Sequence, residues 1–265
     1  MKHILSVQDI SCAGRCSQTV ALPVLSAMGH RCSVLPTAVL STHTAFPDPY
    51  RRSLTADIAP ICNHWKQVGM EFDAVLVGYL ADADQCGAVE KLLESQQGLK
   101  ILDPAMGDHG KLYSGLTKDH IPAMAALCRK ADILIPNVTE AALLTGIEYL
   151  SQAEEAYYRD LAQALIEKTG VRGVVLTGVS TAAGKTGFYC LCHREEHLYQ
   201  TKRLDKIHHG TGDLFSAVLA GGLLQGKTLP HAAAAAADFV EKAIAATENV
   251  TPHGVEFEKV LRDLM

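Results

Sequence analysis

His209-Gly210-Thr211-Gly212-Asp213-Leu214-Phe215 sets two closely spaced glycines and an acid at the head of an apolar stretch with helical spacing. Glycine lets a backbone turn tightly and aim successive N–H groups outward, and a helix N-terminus adds roughly half a positive charge. Such a segment suits anionic oxygens, and a neighbouring carboxylate suits proton abstraction. Asp213 also reads as an ordinary first-turn acid complementing the helix dipole. No Gly-Lys-Ser/Thr follows the glycines, which excludes a Walker A loop. The motif comes late and follows no parallel-strand signal, which excludes a dinucleotide fingerprint.

Further polar groups recur where short apolar runs end. Asp103 and Asp108 flank Pro104-Ala105-Met106-Gly107, with Gly110-Lys111-Leu112-Tyr113 behind them. Acids at a strand end beside a phosphate-binding helix terminus can hold Mg²⁺ directly or through water; capping or turn formation is the plain alternative. In Ile135-Pro136-Asn137-Val138-Thr139-Glu140, Asn137 reads on its own as an N-cap before an acidic first turn. Tyr79, just past an apolar run, either offers a ring face and hydroxyl to an aromatic ligand or packs in the core.

The elements that must position these groups follow from periodicity. Apolar runs at 4–7, 33–36, 74–78, 101–103, 133–135 and 173–176 read as strands. Stretches 18–28, 57–68, 85–94, 121–128, 140–145 and 157–168 carry apolar residues at helical spacing. Segments 187–191 and 197–201 surround a charged turn and predict an antiparallel hairpin at the sheet edge. Helices over 214–224 and 232–246 close the chain, the latter with six consecutive alanines that favour helix intrinsically. With no repeat and no Pro/Ser/Gly-rich linker, this alternation predicts one α/β domain over residues 1–265. A doubly wound, mostly parallel sheet flanked by helices would then gather ligands outside the carboxyl ends of its strands.

A net charge of −5, with 20% charged residues, leaves no basic footprint for nucleic acid or an anionic membrane, so a small-molecule partner is expected. No apolar stretch approaches the ~20 residues of a membrane span, which predicts a soluble protein. Eight cysteines fall short of a disulfide-stapled scaffold and fit a reducing cytoplasm. Cys12 with Cys16, and Cys190 with Cys192 and His193, lack structural-zinc spacing.

Gly210-Thr211-Gly212-Asp213 resembles the motif of the ribokinase superfamily, and the resemblance covers nearly the whole chain. It is nearest to the pyridoxal kinase branch, through Ile4-Leu5-Ser6-Val7-Gln8, Pro36-Thr37, Ser41-Thr42-His43-Thr44, Val77-Gly78-Tyr79-Leu80, 102–108, 135–140 and Leu176-Thr177-Gly178. The resemblance implies a ribokinase-like fold, with ATP as phosphoryl donor and Mg²⁺. It makes Asp213 the general base and Gly210, Thr211 and Gly212 the anion hole. Ser6, Asp9, His43, Thr44 and Tyr79 would meet the substrate ring, and Asn137, Thr177, Gly210 and Gly212 the nucleotide. Asp103, Asp108 and Glu140 would stand on the metal side. A homodimer is implied too, and dependence on a monovalent cation such as K⁺ stays open.

Two departures limit the carry-over. Asp9 stands where the branch usually has serine, and contact with a basic amine or ring nitrogen competes with a solvated turn acid. His208-His209 replace residues that are often apolar, and touch ligand or point into solvent. The expected activity is phosphorylation of the 5′-hydroxymethyl group of pyridoxal, pyridoxine or pyridoxamine. The alternatives are hydroxymethylpyrimidine kinase and a vitamer-binding protein without turnover.

Overall fold

A computed structural model describes residues 1–204 and 209–265. The chain runs β1 (His3–Ala13), α1 (Gln18–Ala27), β2 (Arg31–Thr42), β3 (Arg51–Ser53), α2 (Thr55–Gln67), β4 (Ala74–Val77), α3 (Ala83–Ser95) and β5 (Leu99–Leu102). A two-stranded ribbon, β6 (Gly107–Asp108) and β7 (Lys111–Leu112), precedes α4 (His120–Cys128), β8 (Ile133–Leu134), α5 (Val138–Thr145) and α6 (Glu155–Thr169). Then come β9 (Gly173–Val179), β10 (Lys185–Cys192), β11 (Glu195–Lys202), α7 (Thr211–Leu224) and α8 (Leu229–Ala246), with two short 3₁₀ turns at the end.

Nine strands form one sheet in the order β11-β10-β9-β8-β5-β4-β1-β2-β3. The six from β9 to β2 are parallel, and the two edges are antiparallel, as expected for the hairpin β10–β11. From β1 the chain passes to β2 on one side and later to β4 on the other, so the order reverses at β1/β4. That crevice is where doubly wound sheets bind ligands.

Alternate side chains of each central strand feed two cores. Leu5, Val7, Val75, Val77, Leu102 and Leu134 face one core with α2 to α6. Ile4, Leu76, Ile101, Ile133 and Val175 face the other, with α1, α7 and α8. Burial on both faces is what makes parallel strands read as unbroken apolar runs.

The expected helices are present, with ends shifted by a few residues. Two strands are much longer than their apolar runs: β1 continues through Gln8, Asp9 and Ser11, all buried, and β2 runs on to Thr42. Strand β3 is wholly exposed, and the ribbon strands have two residues each, so neither carries an apolar signal.

Segment 252–258 ties distant loops together. The Arg15 N–H donates to His253 O (2.8 Å) and the Val255 N–H to His209 O (3.1 Å), while the Arg15 guanidinium bonds both oxygens of Glu258.

At the other end of the sheet, Tyr158 of α6 is fully buried; its hydroxyl donates to Ser180 O (2.8 Å) and accepts from Ser180 N–H (3.1 Å) just past β9. Tyr158→Phe leaves the Ser180 N–H without its acceptor, while Ser180 O keeps the Ala153 N–H at 3.2 Å, and is expected to destabilise the fold by about 1–3 kcal/mol, read as a lower denaturation midpoint in urea.

Candidate active site

The carboxyl ends of β1, β4, β5, β8 and β9 open into a cavity of about 630 Å³, closed on one side by the head of α7. Gly210 caps α7 with φ 81°, and a Cβ there would lie 2.0 Å from Arg15 O, so both conformation and space demand glycine. Gly210, Thr211, Gly212 and Asp213 all line the cavity. Asp213 is partly buried, and its pKa is pushed up to about 7, first by burial and then by the Asp103 and Asp9 carboxylates, with the backbone at Ser17 opposing the rise.

Asp103 follows β5 and accepts a 2.7 Å hydrogen bond from Ser216 Oγ; burial pushes it up to about 6. Glu140 is buried, and burial followed by Asp103 drives its pKa well upward. Its oxygens accept from the backbone N–H groups of Asn137 (2.8 Å), Met106 (3.0 Å) and Gly107 (3.5 Å). Asn137 completes a capping box: its Oδ1 accepts from Glu140 N–H (3.0 Å) and its Nδ2 donates to Gly107 O (2.8 Å). The helix-cap reading of this pair therefore holds geometrically, and the same pair fixes loop 106–107 against α5 at the cavity wall. Asp108 is exposed at the rim, paired with His109 at 3.4 Å. Thr177, near the end of β9, lines the cavity and bridges to Asn137.

Among the described residues no cluster of three or more His, Cys, Asp or Glu has metal-holding geometry. Magnesium commonly takes only one or two carboxylates, with water and substrate phosphates filling its shell. Asp103 and Glu140 fit that demand: no cationic group acts on either, and burial disfavours their ionised forms, a cost that a bound cation would offset.

At the far end, Asp9, His43, Thr44 and Tyr79 line the cavity together. Asp9 is no turn acid: it sits within β1, 3% exposed, accepting from Ser17 Oγ (2.5 Å) and Ser11 Oγ (3.1 Å), with its pKa raised by burial. Ser6 does not line the cavity. Fully buried, it accepts from Gln8 Nε2 (2.9 Å) beneath the site, so the expected ring contact is corrected to an internal one. His43 is committed at both ring nitrogens: Nδ1 accepts from Ala45 N–H (3.3 Å) and Nε2–H donates to Pro252 O (2.5 Å). It thus presents ring surface rather than a polar atom. His209 is exposed at the mouth, its ring 5.2 Å from that of His43, and His208 lies outside the described residues.

Several lining residues escaped the sequence reading. Ser17 donates its hydroxyl to Asp9 at 2.5 Å. Lys185 lies directly across from Lys202 in the hairpin, and with Arg203 both line the cavity. Like charges opposite one another cost stability, and a bound polyphosphate would relieve that cost. The register that brings these cations together is the signal, and it is visible only once the strands are paired. Phe215, Val240 and Ile244 add an apolar wall nearby.

The two motif glycines should separate fold from function. Gly210→Ala meets backbone and is expected to lower Tm and abolish activity together. Gly212, whose Cβ position has nothing within 4 Å, should accept alanine with Tm unchanged or raised, since alanine is the better helix former, while ATP KM rises. A Gly212→Ala enzyme with normal ATP kinetics would remove the anion hole from this position.

Comparison with known proteins follows the same lines. Residues 32–257 match the phosphomethylpyrimidine kinase family model. A pyridoxine/pyridoxal/pyridoxamine kinase of Bordetella avium is 32% identical over 92% of this chain and 85% of its own length. Among solved structures, a Bacteroides thetaiotaomicron protein provisionally named a phosphomethylpyrimidine kinase, crystallised with pyridoxal, is 33% identical. Its TM-score is 0.93, over 99% of this chain and 95% of that one. Pyridoxal kinase from Lactobacillus plantarum is also 33% identical, with TM-score 0.92 over 100% and 96%. Sequence and fold agree over nearly the full length, and the chain belongs to the phosphomethylpyrimidine kinase family of ribokinase-like proteins.

Proposed function

We propose that this chain is an ATP-dependent kinase that phosphorylates the 5′-hydroxymethyl group of vitamin B6 vitamers. The observation that carries this reading is Asp213: a carboxylate with its pKa near neutrality, at the head of an anion-binding helix, between a cation-lined hairpin and a pocket walled by Asp9, His43 and Tyr79. The identities to relatives named as B6 vitamer kinases support the substrate class.

A primary alcohol is hardly ionised near neutral pH, so Asp213 takes its proton as the O–P bond to the γ-phosphorus forms and the bond to the β-phosphate oxygen breaks. Gly210, Thr211 and Gly212 direct N–H groups at the transferring phosphoryl oxygens, and Lys185, Lys202 and Arg203 offset charge on the leaving diphosphate. Thr177 offers a hydroxyl to the phosphates, and Asn137 holds the neighbouring loop. Asp103 and Glu140, with Asp108 at the rim, would hold Mg²⁺, which neutralises phosphate charge when bound. The same reading carries a homodimer.

The family's own name favours a second substrate, hydroxymethylpyrimidine, another nitrogen heteroaromatic with a hydroxymethyl arm. Steady-state kinetics with pyridoxal, pyridoxine, pyridoxamine and hydroxymethylpyrimidine decide between them. A kcat/KM highest for the pyrimidine would replace the vitamer reading, and stoichiometric binding without product would replace both.

Asp213→Asn is expected to lower kcat roughly 10²–10⁴-fold with the fold retained. In the wild type, kcat/KM should rise with pH about a midpoint near 7, as Asp213 loses its proton. Its folded pKa lies above the ordinary 3.8, so its contribution to stability is full below that value and lost as pH rises through about 7. Asp213→Asn should therefore raise Tm relative to wild type at pH 8 and not at pH 4. Wild-type turnover in this variant would remove the mechanism.

Asp9 faces the ring end as a buried carboxylate, suited to the protonated aminomethyl group of pyridoxamine. A charge-assisted hydrogen bond is worth on the order of 1.5–3 kcal/mol, so Asp9→Ser should cost pyridoxamine roughly tenfold or more in kcat/KM relative to pyridoxal. An unchanged ratio of the two vitamers means Asp9 sets no amine preference.

A further inference from the structure

The run 214–222 of α7 is buried throughout, and Ser216 carries the one polar side chain in it. A buried hydroxyl costs free energy unless it is hydrogen-bonded, and within a helix serine usually points to water or bonds the carbonyl one turn back. Ser216, 3% exposed, instead crosses to the end of β5 and donates to Asp103 Oδ2 at 2.7 Å. The other oxygen of Asp103, Oδ1, takes no hydrogen bond from the described residues. Glu140 is held differently, since backbone N–H groups meet both of its oxygens. Of these two acids, both lining the cavity, it is Asp103 that keeps an oxygen with no donor on it. Ser216 also stands one helical turn beyond Asp213, on the helix whose head carries the glycine motif. One contact therefore fixes the β5 acid relative to the anion-binding helix head. Packing alone would not, because the terminal torsion of an aspartate is broad and needs a donor to hold it.

We propose that Ser216 is a positioning residue for the divalent cation: its hydroxyl fixes the Asp103 carboxylate through Oδ2 and leaves Oδ1 for the metal or a water bound to it, in register with phosphate oxygens held at the head of α7. The inference rests on the reading of Asp103 as a metal-side acid. Alanine at this position would keep the helix, being the better helix former, and would free the carboxylate to turn. The cation would then meet a correctly placed oxygen in only a fraction of orientations and be held more weakly. The contacts of the nucleotide with the glycine motif would be untouched, so metal and nucleotide affinities should separate.

The test is metal binding read apart from turnover. Mn²⁺ is titrated, at one fixed pH, into enzyme carrying one equivalent of ADP, with free metal followed by its EPR signal, for the wild type, Ser216→Ala, Ser216→Thr and Asp103→Asn. Removing a group that hydrogen-bonds a metal-binding carboxylate typically weakens metal affinity roughly 10–100-fold, so Ser216→Ala should bind Mn²⁺ at least about tenfold more weakly, with ADP affinity in EDTA within about twofold of wild type. In turnover, the Mg²⁺ concentration at half-maximal rate should rise by a similar factor, while kcat at saturating Mg²⁺ falls less. Ser216→Thr keeps the hydroxyl and should recover most of the metal affinity. Wild-type Mn²⁺ affinity in Ser216→Ala overturns the proposal, as does an equal loss of ADP affinity without metal, or a folded threonine variant no better than the alanine one. If Ser216→Ala does not fold, Ser216→Cys, of similar volume and a weak donor, takes its place, and wild-type affinity there overturns the proposal. Asp103→Asn at wild-type Mn²⁺ affinity would instead remove the metal-side reading of Asp103, so the two failures are told apart.

Discussion

Carboxyl groups packed into a protein interior are the constraint around which this molecule is arranged. Asp9, Asp103, Glu140 and Asp213 converge on one cavity, and each has its pKa raised first by burial. Asp103 is pushed up to about 6 and Asp213 to about 7. Backbone N–H groups offset part of the cost of ionisation: three meet Glu140, and the head of α7 adds its dipole beside Asp213. Groups held so are strained in isolation and become useful when a cation and a polyphosphate arrive, which is the condition a phosphoryl-transfer site needs.

The fold supplies the rigidity this requires. Five parallel strands end at the cavity, and each is locked between two apolar layers, so the polar residues just beyond the strand ends inherit their position from packing far from the chemistry. The capping box at Asn137 and Glu140 shows one pair of side chains starting a helix and fixing a cavity wall at once. Structural and functional readings of these residues are compatible because the helix start is where the site is.

Local signals were legible in the sequence and distant ones were not. The Gly210 to Asp213 motif, the Asn137 cap, the hairpin and the amphipathic helices each lie within one element, where spacing suffices. Strand β1 was read as ending near Val7 because Gln8, Asp9 and Ser11 are polar although buried; their partners, Ser17 and Gln18, lie on the next element. The family resemblance of the first strand assigns Ser6 to the ring, and its bond to Gln8 is invisible before the strand is built. His43 lines the cavity, but its polar atoms are consumed by Ala45 and by Pro252, far along the chain. The cations of the hairpin emerge as a group only from the pairing of β10 with β11.

The strap at 252–258 bears on how the protein folds. Arg15 and Glu258, 243 residues apart, are joined directly, and the same stretch grips His43 and the glycine loop. The strap is also part of a core: Val255 and Phe257 are buried against the same layer as α1, α7 and α8. Contacts of such long sequence separation are slow to form, so the loops around Asp9 and the glycine motif are braced only as that core closes. The site matures together with the fold and not ahead of it.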